Sequence, residues 1–563
     1  MTYHDPVALR GIAQALFAIA VVVPAVALAQ PSYRPATAPT HGPIPILEID
    51  LAADAIPDDP KALTRMRLLY DRDGDGYGDA AAPGPQDGEY VGPVAIETRG
   101  SSSLRLFPKV GYGLELRGVD GADTSASLLG MPPEEDWVLH GPYSDKTLIR
   151  NAFSYQLAEG LPGYAPRARF VELRLGGEYW GLYLLTERLK RDKRRIDVKK
   201  LEPADSAGVA LTGGYILKTD NVTGDATAFV NGFNTRYLGL PGRQGTAVRF
   251  HYPRPRDITP AQRAYIERWM LDFEAALAGD DYGDPDVGYA AYIDVGSFVD
   301  YFLLTELTRN IDGYFVSTYY YKERDDRGGK LHMGPIWDMN LALANGAWHN
   351  ARQPEGWVFS PTYPELSGTN YRPFWWLRLF RHEPFRQRLD ARWRELRSPG
   401  APFSDERFWG LYDSLATLTG GAVAARNFER WPVLGESTWG NHRAAASQED
   451  ELAYVREYMT TRIAWLDEQF GYVSSAREVG RATTRTLVYP NPVTVGETVR
   501  LRGLPPGAAV ASVTVYDQVG RAVARERDVD AAALSAPPQP GVHYYRIVLA
   551  DGAVLHTTVV AIE

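Results

Sequence analysis

The chain has 563 residues, too many for one compact core and enough for two to four domains. Apolar residues make up 45% and charged residues 23%, which excludes a disordered chain. The 60 basic and 70 acidic side chains leave a net charge of −10, which argues against general nucleic-acid binding. With no cysteine, disulfides, thiolate metal sites, iron–sulfur clusters and cysteine nucleophiles are excluded.

Residues 1–29 read as an export signal. Arg10 precedes the uncharged stretch 15–29, which is too short to span a bilayer, and Ala27-Leu28-Ala29 fits a small-x-small cleavage site. Residues 30–45 form a Pro-rich linker. Short alternating runs follow (ILEIDL, MRLLY, VGPVAIETRG, KVGYGLELRG) and predict an antiparallel sheet. A helix is expected over 146–159, and strands after it in ARFVELRL, EYWGLYLLTE and GGYILKTD. From about 259 to 470 the periods are helical. TPAQRAYIERWMLDFEAAL has a Thr-Pro start, and FWWLRLFRHEPFRQRLDARWREL and DELAYVREYMTTRIAWLDEQF are long and amphipathic. A β-rich half followed by an α-rich half predicts an α+β fold with two lobes and a cleft between them. Residues 472–485 read as a linker and 486–563 as a small β-sandwich.

Within the first half, Asp71, Asp73, Asp75 and Asp79, with Gly76, match the first part of a calcium loop. Ala82 stands where the bidentate Glu belongs, so the alternatives are a Ca²⁺ site and a solvated acidic turn. The run 188–200 holds eight Lys or Arg, which either form a solvated face or present cations to phosphate or an acidic substrate. Arg99, Ser101, Ser102 and Ser103 lie in a polar loop, with Lys109 on the next strand. Amides, hydroxyls and two cations there suit phosphates, although a hydroxyl-rich hairpin is more often only a turn. Glu187 ends a strand where a hinge between lobes would lie, and is expected to contact the nucleotide there.

The densest chemistry lies between 294 and 345. Asp294 caps a helix running to about Arg309, Asp312 lies in the following loop, and 314–322 and 330–337 read as a hairpin. Asp338 and Asn340 come directly after it. An antiparallel pairing brings Asp312 and Asp338 to the same end, where two carboxylates with a nearby Asn suit Mg²⁺ and a general base. Protein kinases follow this order of helix, loop Asp, hairpin and metal Asp. Ser317 stands where a kinase places its metal-binding Asn.

ETRGSSS with FPK, LLGMP, DWVLHGPYSDKTLIRN, VELRLGGEYWGLYLLTER, GGYILKTD, RNIDGYFVSTYYYK and GPIWDMN occur in that order, and with them 46–471 resembles the CotH kinase family of atypical, spore-coat-type kinases. The resemblance implies a distant kinase fold with ATP and Mg²⁺ as cofactors, Asp312 as base and Asp338 on metal. The tail, with YPNP, VYDQVGR and GVHYY, resembles a type IX secretion sorting domain. Together these imply a secreted or cell-surface kinase whose partners are an exported or surface protein substrate and the type IX machinery. No nucleic acid and no membrane span in the mature chain are expected. A non-catalytic adhesion module and an AMP-transferring enzyme are the alternatives on the same fold.

Overall fold

A computed structural model describes residues 44–70, 89–220, 231–235, 246–359, 373–472, 487–489, 493–502, 504, 509–517, 522–530, 534–550 and 554–562. The export signal, the Pro-rich linker up to residue 43, the acidic loop with Asp71, Asp73, Asp75 and Asp79, and the linker beyond Tyr472 lie outside the described residues.

The first half is a barrel. Its strands are β1 (Ile46–Ile49), β2 (Ala62–Leu69), β3 (Tyr90–Arg99), β4 (Gly111–Leu116), β5 (Asp136–His140), β6 (Ala168–Leu175) and β7 (Glu178–Glu187). They close in the order β1-β2-β3-β4-β5-β7-β6, and the closing pair, β1 with β6, is parallel while the rest are antiparallel. The period-two runs dictate the interior: Leu47 and Ile49, Met66 and Leu68, and Val94 and Ile96 point inward and are at most 1% exposed. The antiparallel sheet expected from the sequence is thus closed into a barrel with one parallel pairing. Alternation tells which face is buried, but not whether the two sheet edges meet.

Strand β7 is buried on both faces because a helix covers its outer side. On β7 this is α10 (Ala422–Arg430), while α2 (Arg150–Ala158) packs on the neighbouring β6. Gly181 has φ +110°, and a Cβ there would lie 2.8 Å from Trp431 Nε1, so α10 crosses at a point only glycine allows. The short helix α1 (Ser102–Leu106) follows β3 in place of the expected polar loop.

A second sheet runs β12-β11-β8-β10-β9. Its strands are β8 (Tyr215–Thr219), β9 (Gly232–Asn234), β10 (Ala247–Tyr252), β11 (Thr318–Lys322) and β12 (Leu331–Met333). The remaining helices are α3 (Gly208–Leu211), α4 (Pro260–Ala278), α5 (Tyr289–Tyr292), α6 (Val295–Thr308), α7 (Trp375–Arg381), α8 (Glu383–Arg397), α9 (Asp405–Thr419) and α11 (Gln448–Gln469). The Thr-Pro start works as read: Thr259 and Gln262 form a reciprocal cap on α4. Asp294 caps α6 by accepting from Ser297 N at 2.7 Å. The expected long helix over 374–396 is broken into α7 and α8, with His382 extended ahead of Pro384. The helix expected from 146 starts at Arg150 instead, because Asp145 accepts from Thr147 N at 3.0 Å and Arg150 N at 2.9 Å and turns the chain first.

The fold is therefore α+β, with a barrel, a second sheet and surrounding helices. The C-terminal strands form two sheets, β13-β15-β18 and β14-β20-β19-β16-β17. These comprise β13 (Leu487–Tyr489), β14 (Val493–Thr494), β15 (Thr498–Arg502), β16 (Val510–Tyr516), β17 (Ala522–Val529), β18 (Leu534–Ser535), β19 (Gly541–Leu549) and β20 (Val554–Ile562). They enclose a core of their own around Val499, Val513 and Ile547.

Candidate functional site

Strained backbone marks one region. Among the described residues nine non-glycine positions have positive φ, and seven of them fall between Arg309 and Asn350. Such conformations persist where the surroundings over-determine them, typically at functional sites. Asp338 is one, at φ 57°.

Asp338 follows the β11–β12 hairpin, which is shorter than expected. Pairing runs from Lys322 with Leu331 to Tyr320 with Met333, and residues 314–317 form turns and bends where a strand was expected. The Asp338 side chain is solvent-exposed, with neighbouring protein crowding its carboxyl group. This crowding and the nearby Asp220 push its pKa up to about 6, while Arg99 pulls the other way. Its backbone N–H donates to the Tyr155 hydroxyl of α2 at 3.3 Å.

Three elements supply the groups around Asp338. Strand β3 ends in Arg99, whose guanidinium carbon lies 5.6 Å from the Trp337 ring centre. Among the described residues no hydrogen bond or ion pair fixes that guanidinium; burial and the nearby Arg188 lower its pKa. Strand β8 supplies Lys218, which donates to Asp220 at 2.6 Å. Strand β11 supplies Tyr319, which pairs with Lys218 across the sheet and is 5.2 Å from the His251 ring, edge to face. His251 is held down to about 4 by burial, despite its contact with Leu189 O, and also by the cations Lys218, Arg188 and Arg99. Two carboxylates thus sit among three cations, beside aromatic rings. The chemistry fits a polyanion with a divalent cation, because a cation between Asp338 and Asp220 removes the repulsion that raises Asp338.

The loop carrying Asp312 lies next to the Asp338 segment. Asn310 Nδ2 contacts Met339 Sδ at 3.2 Å, Leu343 N donates to Thr308 O at 2.8 Å, and Ile311 packs with Leu341. Asp312 itself is half-buried. Asn340 uses its carbonyl to accept from Asn345 Nδ2 at 2.7 Å, and its side chain is half-buried. Ser317 is half-buried at φ 50°.

Two other expected site residues are engaged elsewhere. Lys109 is buried at 1% exposure and donates to Leu182 O at 2.8 Å and Asn427 Oδ1 at 2.7 Å, so it ties the barrel to α10. Glu187 is fully buried and accepts from Arg167 Nη1 at 2.8 Å, Arg167 N at 3.0 Å and Tyr164 at 3.1 Å. Both correct the expectation of a nucleotide contact, because their polar atoms are satisfied inside the protein. Ser101 and Ser102 are exposed and Ser103 half-buried, at the start of α1. The basic run meets acid within the fold. Lys190 Nζ lies 2.8 to 3.1 Å from Glu134, Glu135 and Asp136, so an ammonium fills the one group of three clustered carboxylates found among the described residues.

Sequence reasoning missed Tyr155, Lys218, Asp220 and Tyr319. Lys218 and Asp220 are two apart at the end of a strand, the spacing that puts both on one face. Tyr155 had no such signal.

A family model described as "CotH kinase protein" matches residues 96–466, about two thirds of the chain. No curated protein matches it.

Proposed function

Because the chain belongs to the CotH kinase family, we propose that it is an atypical protein kinase that transfers phosphate from Mg-ATP to Ser or Thr of exported or surface proteins. The observation that carries this reading is an exposed Asp338 at positive φ, with Asp220 beside it and Arg99, Lys218 and Arg188 in its neighbourhood. The cations bind and orient the phosphates, and Trp337 and Tyr319 flank them. Asp338 and Asp220 are the residues to hold Mg²⁺, which supplies charge neutralisation when bound. Asp312 accepts the proton of the acceptor hydroxyl as its oxygen bonds to the γ-phosphorus and the bond to ADP breaks.

The test is incubation of residues 30–470 with radiolabelled ATP and Mg²⁺. Label in protein, lost in Asp338→Ala, supports the reading; no label and no nucleotide binding overturn it. Ser317 in the position of a kinase Asn supports a second reading, transfer of AMP, which mass spectrometry of the product separates from phosphate transfer. The separate core of the C-terminal sandwich supports its reading as a sorting domain, and the sequence of residues 1–29 supports export. A truncation lacking 486–563 that still reaches the cell surface would contradict the sorting role.

A further inference from the structure

Helix α2 holds the Asp338 segment from one side. Arg150, in its first turn, donates from Nε to Ala342 O at 3.1 Å and Leu343 O at 3.2 Å. Tyr155 stands further round the same helix, and its hydroxyl accepts the Asp338 N–H. The ring is buried, 2% exposed, and stacks on Trp337 with centres 6.0 Å apart and planes at 22°. The phenol is therefore fixed by a ring on one face and a backbone donor at its tip.

A tyrosine hydroxyl has two lone pairs and one proton. Asp338 N–H takes a lone pair. Among the described residues nothing accepts the Tyr155 proton. A hydroxyl held in place beside an open carboxylate, with its proton unclaimed, is a donor prepared for something not made of protein. Asp338 and Arg99 are the charged groups that interact with this hydroxyl. An anion drawn to Arg99 thus arrives within its neighbourhood, and a neutral donor adds a bond to anionic oxygen without adding charge.

We infer that Tyr155 donates its hydroxyl proton in a hydrogen bond to a phosphate oxygen of the nucleotide seated against Asp338. This rests on the nucleotide-site reading above. Tyr155 is then a phosphate-binding residue contributed by α2, outside the hairpin and loops that carry the carboxylates.

Tyr155→Phe removes the hydroxyl and keeps the stacked ring. Calorimetry on the full chain with Mg-ATP should show Kd raised about tenfold, as expected for one hydrogen bond to a charged acceptor. Adenosine, which has no phosphate, should bind Tyr155→Phe and the parent protein equally, and the melting temperature should fall by no more than the lost acceptor of Asp338 N–H explains. Unchanged Mg-ATP affinity overturns the inference, and so does a loss seen with Mg-ATP but absent for ATP in EDTA, which would make Tyr155 a prop for the metal ligand Asp338. A parallel loss of adenosine binding also overturns it, because the ring's position and not the donor would then matter. Mg-ATP binding that is weakened by Asp338→Asn but not by Tyr155→Phe refutes this inference alone. A parent protein that binds no Mg-ATP refutes the nucleotide reading and this one with it.

Discussion

Asp338 is more easily protonated in the folded protein than in the unfolded chain. Its pKa is raised from 3.8 to about 6, so the folded state binds the extra proton and its stability rises as pH falls from about 6 toward 4. Above pH 6 the carboxylate costs stability. Because the side chain still meets water, the screened cost is about 1 kcal/mol. Asp338→Asn should therefore melt higher than the parent at pH 7.5 without Mg²⁺, lose that advantage below pH 4, and lose transfer activity at every pH. Thermal melts across pH, paired with transfer assays, check this. Lys109 presents the opposite case, a buried ammonium whose pKa is lowered by burial and by Arg430. Asn427→Ala takes away one of its two acceptors and also the acceptor of Leu182 N, at a cost of about 3 kcal/mol in urea unfolding. The sequence announced Lys109 as a strand lysine beside a Ser-rich turn, but its partner lies 318 positions away. Residue types and local spacing were legible; partners brought in from distant helices were not. That the segments carrying Asp312 and Asp338 lie together was legible for the complementary reason, because a hairpin joins them and hairpin geometry is local.

At the scale of elements, the helices that cradle the site are pinned by buried charge. Glu306 near the end of α6 and Arg462 on α11 are both fully buried and meet at 2.8 Å. Glu306 also accepts from Tyr314 at 3.0 Å, Val358 N at 2.9 Å and Phe359 N at 3.1 Å, and so anchors the segment after Asn350 to α6. Arg462→Met should cost about 3–5 kcal/mol, since it strands a buried carboxylate, and adding Glu306→Gln should recover part of the loss. Urea titrations of the single and double variants measure both values; equal losses in the two would deny the coupling. Element boundaries were legible where a cap was written into the sequence, as at Thr259 and Asp294. They were missed at α2 and β11, where Asp145 and the 314–317 turns answer to tertiary contacts.

At the scale of the whole molecule, the C-terminal sandwich has a core distinct from those of the barrel and the helices. None of the site residues belongs to it. Deleting 486–563 should leave Mg-ATP affinity and the melting temperature of the remainder unchanged, as calorimetry would show; a shift in either would mean that the sandwich braces the site. That the first half is β-rich was legible, but its closure was not. Ring closure depends on β1 meeting β6, a parallel pairing between residues with four strands and two α-helices between them in the chain.

The same pairing puts a clock on synthesis. One edge of β1 is satisfied as soon as β2 has emerged, but the other waits for Leu175. At ribosomal speed that wait is on the order of ten seconds, during which an apolar strand edge stays open to any partner that reaches it. A nascent chain that cannot close early stays threadable, and one that is left too long is exposed to aggregation. Refolding from urea should accordingly be slow for a protein whose closing contact spans so much chain. Trp137, fully buried inside the barrel, reports when the ring shuts.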